Sequence, residues 1–426
     1  MRTTALIVAC CLMSSLMYPA LVTAQVPSAM SLAQLVESAD QRNPAISAAR
    51  QTAVAAEARV LLARAGRGPT VTASAAPSVT GGTSATVVQG AGGSASITTS
   101  YTLYDSGQTA HAIRQAEASL KAARMALEAT RQDVALIVAT SYVGVLTAQR
   151  TVLVREQVVV QNQELVRLAE GQFRAGVVPR ADVVRAQAGL AAAEGELLQA
   201  RNAVEQARAS LATAVGFPPV TPVVVAPAPA VPLLTLAVAG LAGFVDERSE
   251  VRRALAEIEA AEAALALAQA GGGVKVTLDG RVTQSFTPTA TSNSWSVSST
   301  VSLPVSDAGR VSASVAEATA LLAAARARIE TTRLTVQQQS LQAFLNIQSA
   351  RARIASARAG LAFAQESLRL AQGRYAAGAG PFLEVIDAQT ALVQAEVTLA
   401  RAEFDELAAV IALRHAIGRS VVNGAI

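Results

Sequence analysis

The sequence predicts a mainly α chain that carries two β-hairpins and uses one helix–hairpin–helix unit twice. Three observations predict this. The chain repeats internally over a domain-sized length. Two very long stretches keep heptad spacing. Four shorter stretches alternate apolar and polar residues.

The repeat comes first because it frames everything else. Residues 167–216 align with 369–418 at a constant offset of 202, without gaps, and 19 of the 50 positions are identical. Seven of these identities are alanine pairs, which come cheaply in this composition. The other twelve include Gly171/Gly373, Gly176/Gly378, Pro179/Pro381 and Gly216/Gly418. Upstream, Asp105-Ser106-Gly107 matches Asp307-Ala308-Gly309, and Asp40-Gln41-Arg42 resembles Asp246-Glu247-Arg248. The expected division is an export signal over 1–24, a first unit over 25–216, a proline-rich linker over 217–232 and a second unit over 233–426. Six prolines in 218–232 predict extended chain there.

The export signal rests on Arg2, the apolar run Ala5 to Leu16, and the small residues Val22-Thr23-Ala24 before Gln25. Cleavage near Ala24 removes Cys10 and Cys11 and leaves no cysteine for a disulfide, metal site or nucleophile. The alternative, a lipoprotein box at Ile7-Val8-Ala9-Cys10, makes a very short signal. Beyond Gln25 no uninterrupted apolar run of membrane-spanning length is expected.

Each unit opens with a helical stretch, 30–65 and 246–270, stopped by Gly66-Arg67-Gly68-Pro69 and by Gly271-Gly272-Gly273. A β-hairpin follows, over 69–104 and 273–305. Val274, Val276, Leu278 and Val282 alternate with Lys275, Thr277, Asp279 and Arg281. Trp295, Val297, Val301 and Leu303 do the same with serines and threonines, as do Ile97, Tyr101 and Leu103. Period 2 gives each strand one apolar and one polar face. Asp105 and Asp307 then stand where a carboxylate accepts the free N–H groups of a first helical turn.

The helices after them, 106–174 and 308–376, are each about 100 Å long at 1.5 Å per residue. Val311, Val315, Ala318, Leu322, Ala325 and Ile329 step by alternating fours and threes, a heptad seam. Each long helix turns near Gly176 or Gly378, followed by Pro179 or Pro381, and a helix of about 35 residues returns. Return and opening helices together nearly match one long helix, so they can stack end to end along it.

Composition excludes several classes of function. Net charge is +4, but the basic residues are scattered among acids, which gives no footprint for nucleic acid. His111 and His415 are the only histidines, and they fall at different places in the repeat. No catalytic set, phosphate loop or metal-ligand spacing appears, so the chain reads as neither enzyme nor cofactor binder. Four two-faced strands cannot close a membrane barrel alone, whereas three copies supply twelve. A trimeric coiled-coil spacer or adhesin stalk is the alternative. It explains the heptads but not the alternating hairpins.

The residues now resemble a known family. Ser31-Leu32-Ala33-Gln34-Leu35 with Asn43-Pro44-Ala45-Ile46, Leu103-Tyr104-Asp105-Ser106-Gly107, Leu303-Pro304-Val305-Ser306-Asp307-Ala308-Gly309, and Arg374-Tyr375-Ala376-Ala377-Gly378 running into Leu383-Glu384-Val385-Ile386-Asp387-Ala388 are similar to the TolC family of outer-membrane efflux proteins. The resemblance implies a homotrimer in outer-membrane lipid. It implies a twelve-strand barrel continued by a helical tunnel into the periplasm. It also implies docking to a periplasmic adaptor (membrane fusion) protein and an inner-membrane transporter, in efflux or type I secretion. It places Asp182, Arg185, Tyr375, Glu384 and Asp387 at the periplasmic aperture, and the turns with Gly176, Pro179, Gly378 and Pro381 at the adaptor. Where some members carry a basic residue this chain has Gly380, so Arg185 is the candidate to replace it by pairing across hairpins.

Overall fold

The computed structural model describes residues 29–80, 90–227, 238–287 and 290–421. The export signal, with Cys10 and Cys11, lies outside the described residues, as does 228–232 of the linker. Two helices dominate: α3 (Gln108–Arg174) and α6 (Arg310–Ala376), 67 residues each. α4 (Arg180–Val215) returns along α3, and α7 (Phe382–Ala416) returns along α6. α2 (Pro44–Ala65) packs on the other end of α3, and α5 (Ser249–Ala270) packs between α3 and α6. The helices therefore form one layer of four columns: α2 with α4, then α3, then α5 with α7, then α6.

The opening stretch, expected as one helix over 30–65, is broken in two. α1 (Leu32–Arg42) ends at Asn43, whose extended backbone (φ −67, ψ 125) is what a following proline imposes. Asn43 then caps α2 by accepting from the Ala45 N–H at 2.8 Å, while its Nδ2 donates to the Ala214 carbonyl at 2.8 Å. One side chain thus joins the end of α4 to the start of α2. Gly216 makes the approach possible: φ is +96, and a Cβ would lie 2.8 Å from the Arg42 carbonyl oxygen.

The second copy builds the same junction differently. Arg248, 1% exposed, donates to the His415 carbonyl and to both carboxylate oxygens of Glu250. The chain leaves α7 through Gly418 at φ +73. The residues before α5 form a 3-10 helix, Val238–Glu247, so α5 starts three residues later than expected.

Around these junctions lies the largest core, with Leu35, Ile46, Val138, Tyr142, Leu211 and Val215. The described part of the proline-rich stretch is extended and docked there. Val225 bridges Met30, and the Tyr142 hydroxyl donates to the Ala226 carbonyl at 2.7 Å. One stretch of α3 is long and apolar enough to cross a membrane by length and composition, although Thr140, Ser141, Thr147 and Gln149 interrupt it. Its helix supplies Val138, Tyr142 and Val145 to this core.

The strands β1 (Thr70–Thr80), β2 (Gly90–Tyr104), β3 (Lys275–Phe286) and β4 (Thr291–Ser302) form one antiparallel sheet in chain order. β2 pairs with β3, so the sheet joins the two repeats. The register stacks like on like: Ala73, Ile97, Val282 and Trp295 lie side by side, and Thr72, Thr98, Arg281 and Ser296 form the adjacent row on the other face. The apolar row is bare, with Trp295 79% exposed. Leu103 breaks the expected alternation. Thr102 pairs with Thr277 and Tyr104 with Val276, so Leu103 is bulged and Tyr104 joins the apolar face.

Sheet passes to helix through one device used twice. Ser106 and Ala308 both have φ +53, and Gly107 and Gly309 have φ +86 and +84. The two aspartates hold this turn. Asp105 accepts from the N–H groups of Gly107 (3.1 Å) and Thr109 (2.7 Å), and Asp307 from those of Gly309 (3.1 Å) and Val311 (2.7 Å). Each helix therefore starts two residues later than expected, at Gln108 and Arg310. Burial pushes the Asp105 carboxyl up, but the Thr109 hydroxyl, the two N–H groups and Lys275 outweigh it and hold it below the ordinary carboxylate range. Hydrogen bonds from Val311 and Gly309 lower Asp307 in the same way.

A carboxyl whose folded pKa is depressed contributes stability above its unfolded pKa and loses it as pH falls through the folded value. Both junctions should therefore be intact at neutral pH and weaken below about pH 4. Asp105→Ala should cost about 1 kcal/mol at pH 7. The difference from wild type should close on acidification, as read by denaturant unfolding across pH.

Candidate functional site

The tips of the two hairpins carry most of the residues singled out by resemblance. Both turns close alike. The Gly176 N–H donates to the Phe173 carbonyl and the Val177 N–H to Gln172, and Gly378 with Ala379 repeat this onto Tyr375 and Arg374. This crossed pair of bonds ends a helix through a left-handed residue, here glycine at φ +77 and +70. Pro179 and Pro381 then start the return helices in extended conformation. A Cβ at Gly176 or Gly378 would touch nothing, so conformation alone requires glycine there.

Between the tips lies a small apolar core of both hairpins, including Leu165, Val183, Leu368, Tyr375, Phe382 and Val385. The Tyr375 and Phe382 rings meet at 5.1 Å, tilted by 50°. The Tyr375 hydroxyl is buried without a hydrogen-bond partner among the described residues. Burial pushes its pKa up, and the negative charge of Asp182 adds to the shift. Asp182 reaches this core from the first hairpin and is itself buried. The structure thus brings Asp182 and Tyr375 together across hairpins.

The other aperture residues lie further out. Arg185 is exposed and faces Asp182 of its own helix at 3.6 Å, not a residue of the second hairpin. Glu384 pairs with Arg374 across its own turn at 3.1 Å. Asp387 is exposed and makes no ion pair among the described residues. Glu384 and Asp387 lie one turn apart on α7, so one acid of the expected pair is partnered and one is bare. The Arg374–Glu384 ion pair and the Tyr375–Phe382 ring contact were not anticipated from sequence. A cation and an anion ten residues apart around a glycine turn was the available signal for Arg374.

The hairpins differ from the seam between them. Within the first, Arg155 meets Glu196 at 2.5 Å and Arg201 meets Glu156 at 3.0 Å; within the second, Arg351 meets Glu406 at 2.9 Å. These pairs fix the register of α4 on α3 and of α7 on α6. Midway along the seam between hairpins the contact is Val154, Val158 and Ala193 against Val393 and Val397, and nearer the junctions His415 of α7 meets Asp133 of α3 at 3.0 Å. Glu396 stands beside this apolar seam. Burial pushes its carboxyl up, and Arg150 across the seam partly offsets the shift.

A duplicated pair of helical hairpins, more than 60 residues deep and crowned by a two-faced sheet with open edges, defines a class: subunits of envelope-spanning channels. The chain belongs to the outer membrane efflux protein family, whose sequence pattern matches residues 35–217 and 245–419. It is an outer-membrane efflux protein. Among curated relatives, it is 35% identical to Protein CyaE of Bordetella pertussis over 141 residues, covering 32% of this chain and 29% of that protein. It is 26% identical to the outer membrane efflux protein BepC of Brucella suis over 336 residues, covering 78% and 73% of the two chains. The solved structure of CusC superposes with a TM-score of 0.82 at 20% identity, over 92% of this chain and 93% of that one, which shows the shared fold.

The unpartnered hydroxyl makes a sharp prediction. Tyr375→Phe removes a buried group that gains nothing in this arrangement. Unfolding should therefore be unchanged, or stabilised by up to about 1 kcal/mol. A loss of more than about 1 kcal/mol would mean that the hydroxyl has a partner in the assembled protein.

Proposed function

We propose that three copies of this chain form a passive exit duct of a tripartite efflux or type I secretion system. A periplasmic adaptor docked to the tips and an inner-membrane transporter drive it. The observation that carries this reading is the sheet. Its apolar face is bare, and both edge strands, β1 and β4, lack a partner on one side among the described residues. Three such sheets make twelve strands, and pairing β4 of one copy with β1 of the next leaves no edge in lipid. The same operation sets α6 of one copy beside the α2/α4 column of the next. Leu61, Leu62 and Leu198 on one column and Leu321, Leu334 and Phe363 on the other are exposed and would be covered. No observation favours a spacer or stalk, which has no use for a two-faced sheet.

The turns at Gly176, Pro179, Gly378 and Pro381 are exposed backbone at the far end of the helices, the surface offered to an adaptor. The aperture would be built by Asp182, Arg185, Tyr375, Glu384 and Asp387: Glu384 and Asp387 face the opening, the buried Asp182 and Tyr375 pack behind them, and Arg185 acts as a positioning residue through Asp182. Threefold symmetry repeats each carboxylate three times around a narrow opening, which favours cations. In this reading the transporter supplies the energy.

Purified protein in planar bilayers should conduct and prefer cations. Asp387→Asn should move the cation-to-anion permeability ratio toward unity further than Glu384→Gln does, because Arg374 already offsets Glu384. Unchanged selectivity in the double variant would remove these acids from the aperture, and a non-conducting oligomer would contradict the duct.

A further inference from the structure

The strands carry almost no charge. Between Arg67 and Asp105 the first hairpin has no Asp, Glu, Lys or Arg. From Lys275 to Asp307 the second has only Lys275, Asp279 and Arg281 before the aspartate. All three lie on β3 and share one face, because they sit at odd positions of the same strand. That face is otherwise hydroxylic. Arg281 stands in register between Thr98 and Ser296, Asp279 between Ser100 and Ser298, and Lys275 opposite Ser302. The opposite face carries Ile97, Val282 and Trp295, so the hydroxylic face is the one that lines a lumen.

The three charges are not equivalent. Lys275 sits at the helix end of the sheet, where Asp105 feels its charge. Asp279 accepts from the Thr277 hydroxyl at 3.1 Å. Arg281 is exposed and makes no ion pair among the described residues. It is also the outermost: beyond it the segments 282–291 and 79–97 hold no charged residue, so nothing nearer the outer mouth competes with it.

From this placement we infer that Arg281 of three copies forms a basic ring in the barrel lumen that binds multivalent anions, phosphorylated or polycarboxylate. The inference rests on the proposed trimeric duct. A twelve-strand barrel with strands about 4.8 Å apart and tilted about 40° has a backbone radius of about 12 Å. An extended arginine reaches about 6 Å from its backbone, which leaves each guanidinium about 6 Å from the axis. That is inside the Debye length of about 8 Å at physiological salt. An ion on the axis therefore feels all three charges, and an anion with several oxygens bridges more than one of them with charge-assisted hydrogen bonds. The duct then has two filters of opposite sign in series, acidic at the tips and basic near the outer mouth.

The test uses the full-length trimer in planar bilayers, with inorganic tripolyphosphate as probe. Added on the sheet side, the probe should block current at lower concentration than when added on the helix side. That difference in sidedness separates anions arriving from outside from anionic cargo arriving through the tunnel. Arg281→Gln should raise the half-blocking concentration at least tenfold, Asp279→Asn should lower it, and Arg281→Lys should retain block if the glutamine variant fails to assemble. A conducting Arg281→Gln trimer with wild-type block overturns the ring while leaving the duct intact, and so does an Arg281→Lys trimer without block. A wild-type trimer that conducts without block overturns it too. A wild-type protein that conducts nothing overturns the duct and the ring together.

Discussion

Backbone hydrogen bonding at the two edges of one sheet constrains everything else in this molecule. β1 and β4 each leave a row of N–H and C=O groups without a partner among the described residues, and the sheet's bare face is apolar. In water that face is a liability. In lipid the edges are, because each unsatisfied backbone group costs several kcal/mol. Only closure against further copies removes both problems. The proposed trimer follows from this requirement, and the helices inherit it: columns continuous with a closed sheet must themselves close into a tube.

The duplication makes closure cheap in sequence terms. One set of local devices is used twice. Left-handed backbone at Ser106-Gly107 and Ala308-Gly309, aspartates over the first helical turn, and glycine-terminated long helices recur with nearly the same angles. The junctions between stacked short helices also recur, but their chemistry has diverged. Asn43 makes the first with a neutral amide, and the fully buried Arg248 makes the second with Glu250 and a carbonyl. Divergence is greatest at the tips. Equivalent positions hold Arg185 and Asp387, and Arg180 and Phe382. The first hairpin so sends a buried aspartate toward the tyrosine of the second, and only the second carries a bare acid one turn inside.

Much of this was legible in the sequence because it is periodic. Heptads located α3 and α6, alternation located the strands, and the paired glycines located both tips. What was not legible depends on partners distant in the chain. Nothing local says that β2 pairs with β3, which joins the repeats through 11 residue pairs and a bulge at Leu103. The Asn43-Pro44 break was visible as a motif, but its use, to receive the end of α4, appears only when Ala214 and Gly216 are beside it. The aperture was legible as residue types and not as pairings: Arg374 takes Glu384, Arg185 takes Asp182, and the Tyr375 hydroxyl takes neither.

Hairpins clamped by ion pairs and separated at mid-length by an apolar seam are suited to moving as rigid units there. A rearrangement along Val154, Val158, Val393 and Val397 leaves the ion pairs within each hairpin intact, and it changes the surroundings of Tyr375, Asp182 and Glu396 together. All of this presupposes closure by three copies. The most direct test is the mass of the detergent-purified particle by native mass spectrometry. Three chains per particle is the predicted result. Any other number, and a monomer above all, would contradict the account, because the edges of the sheet would then have no partner.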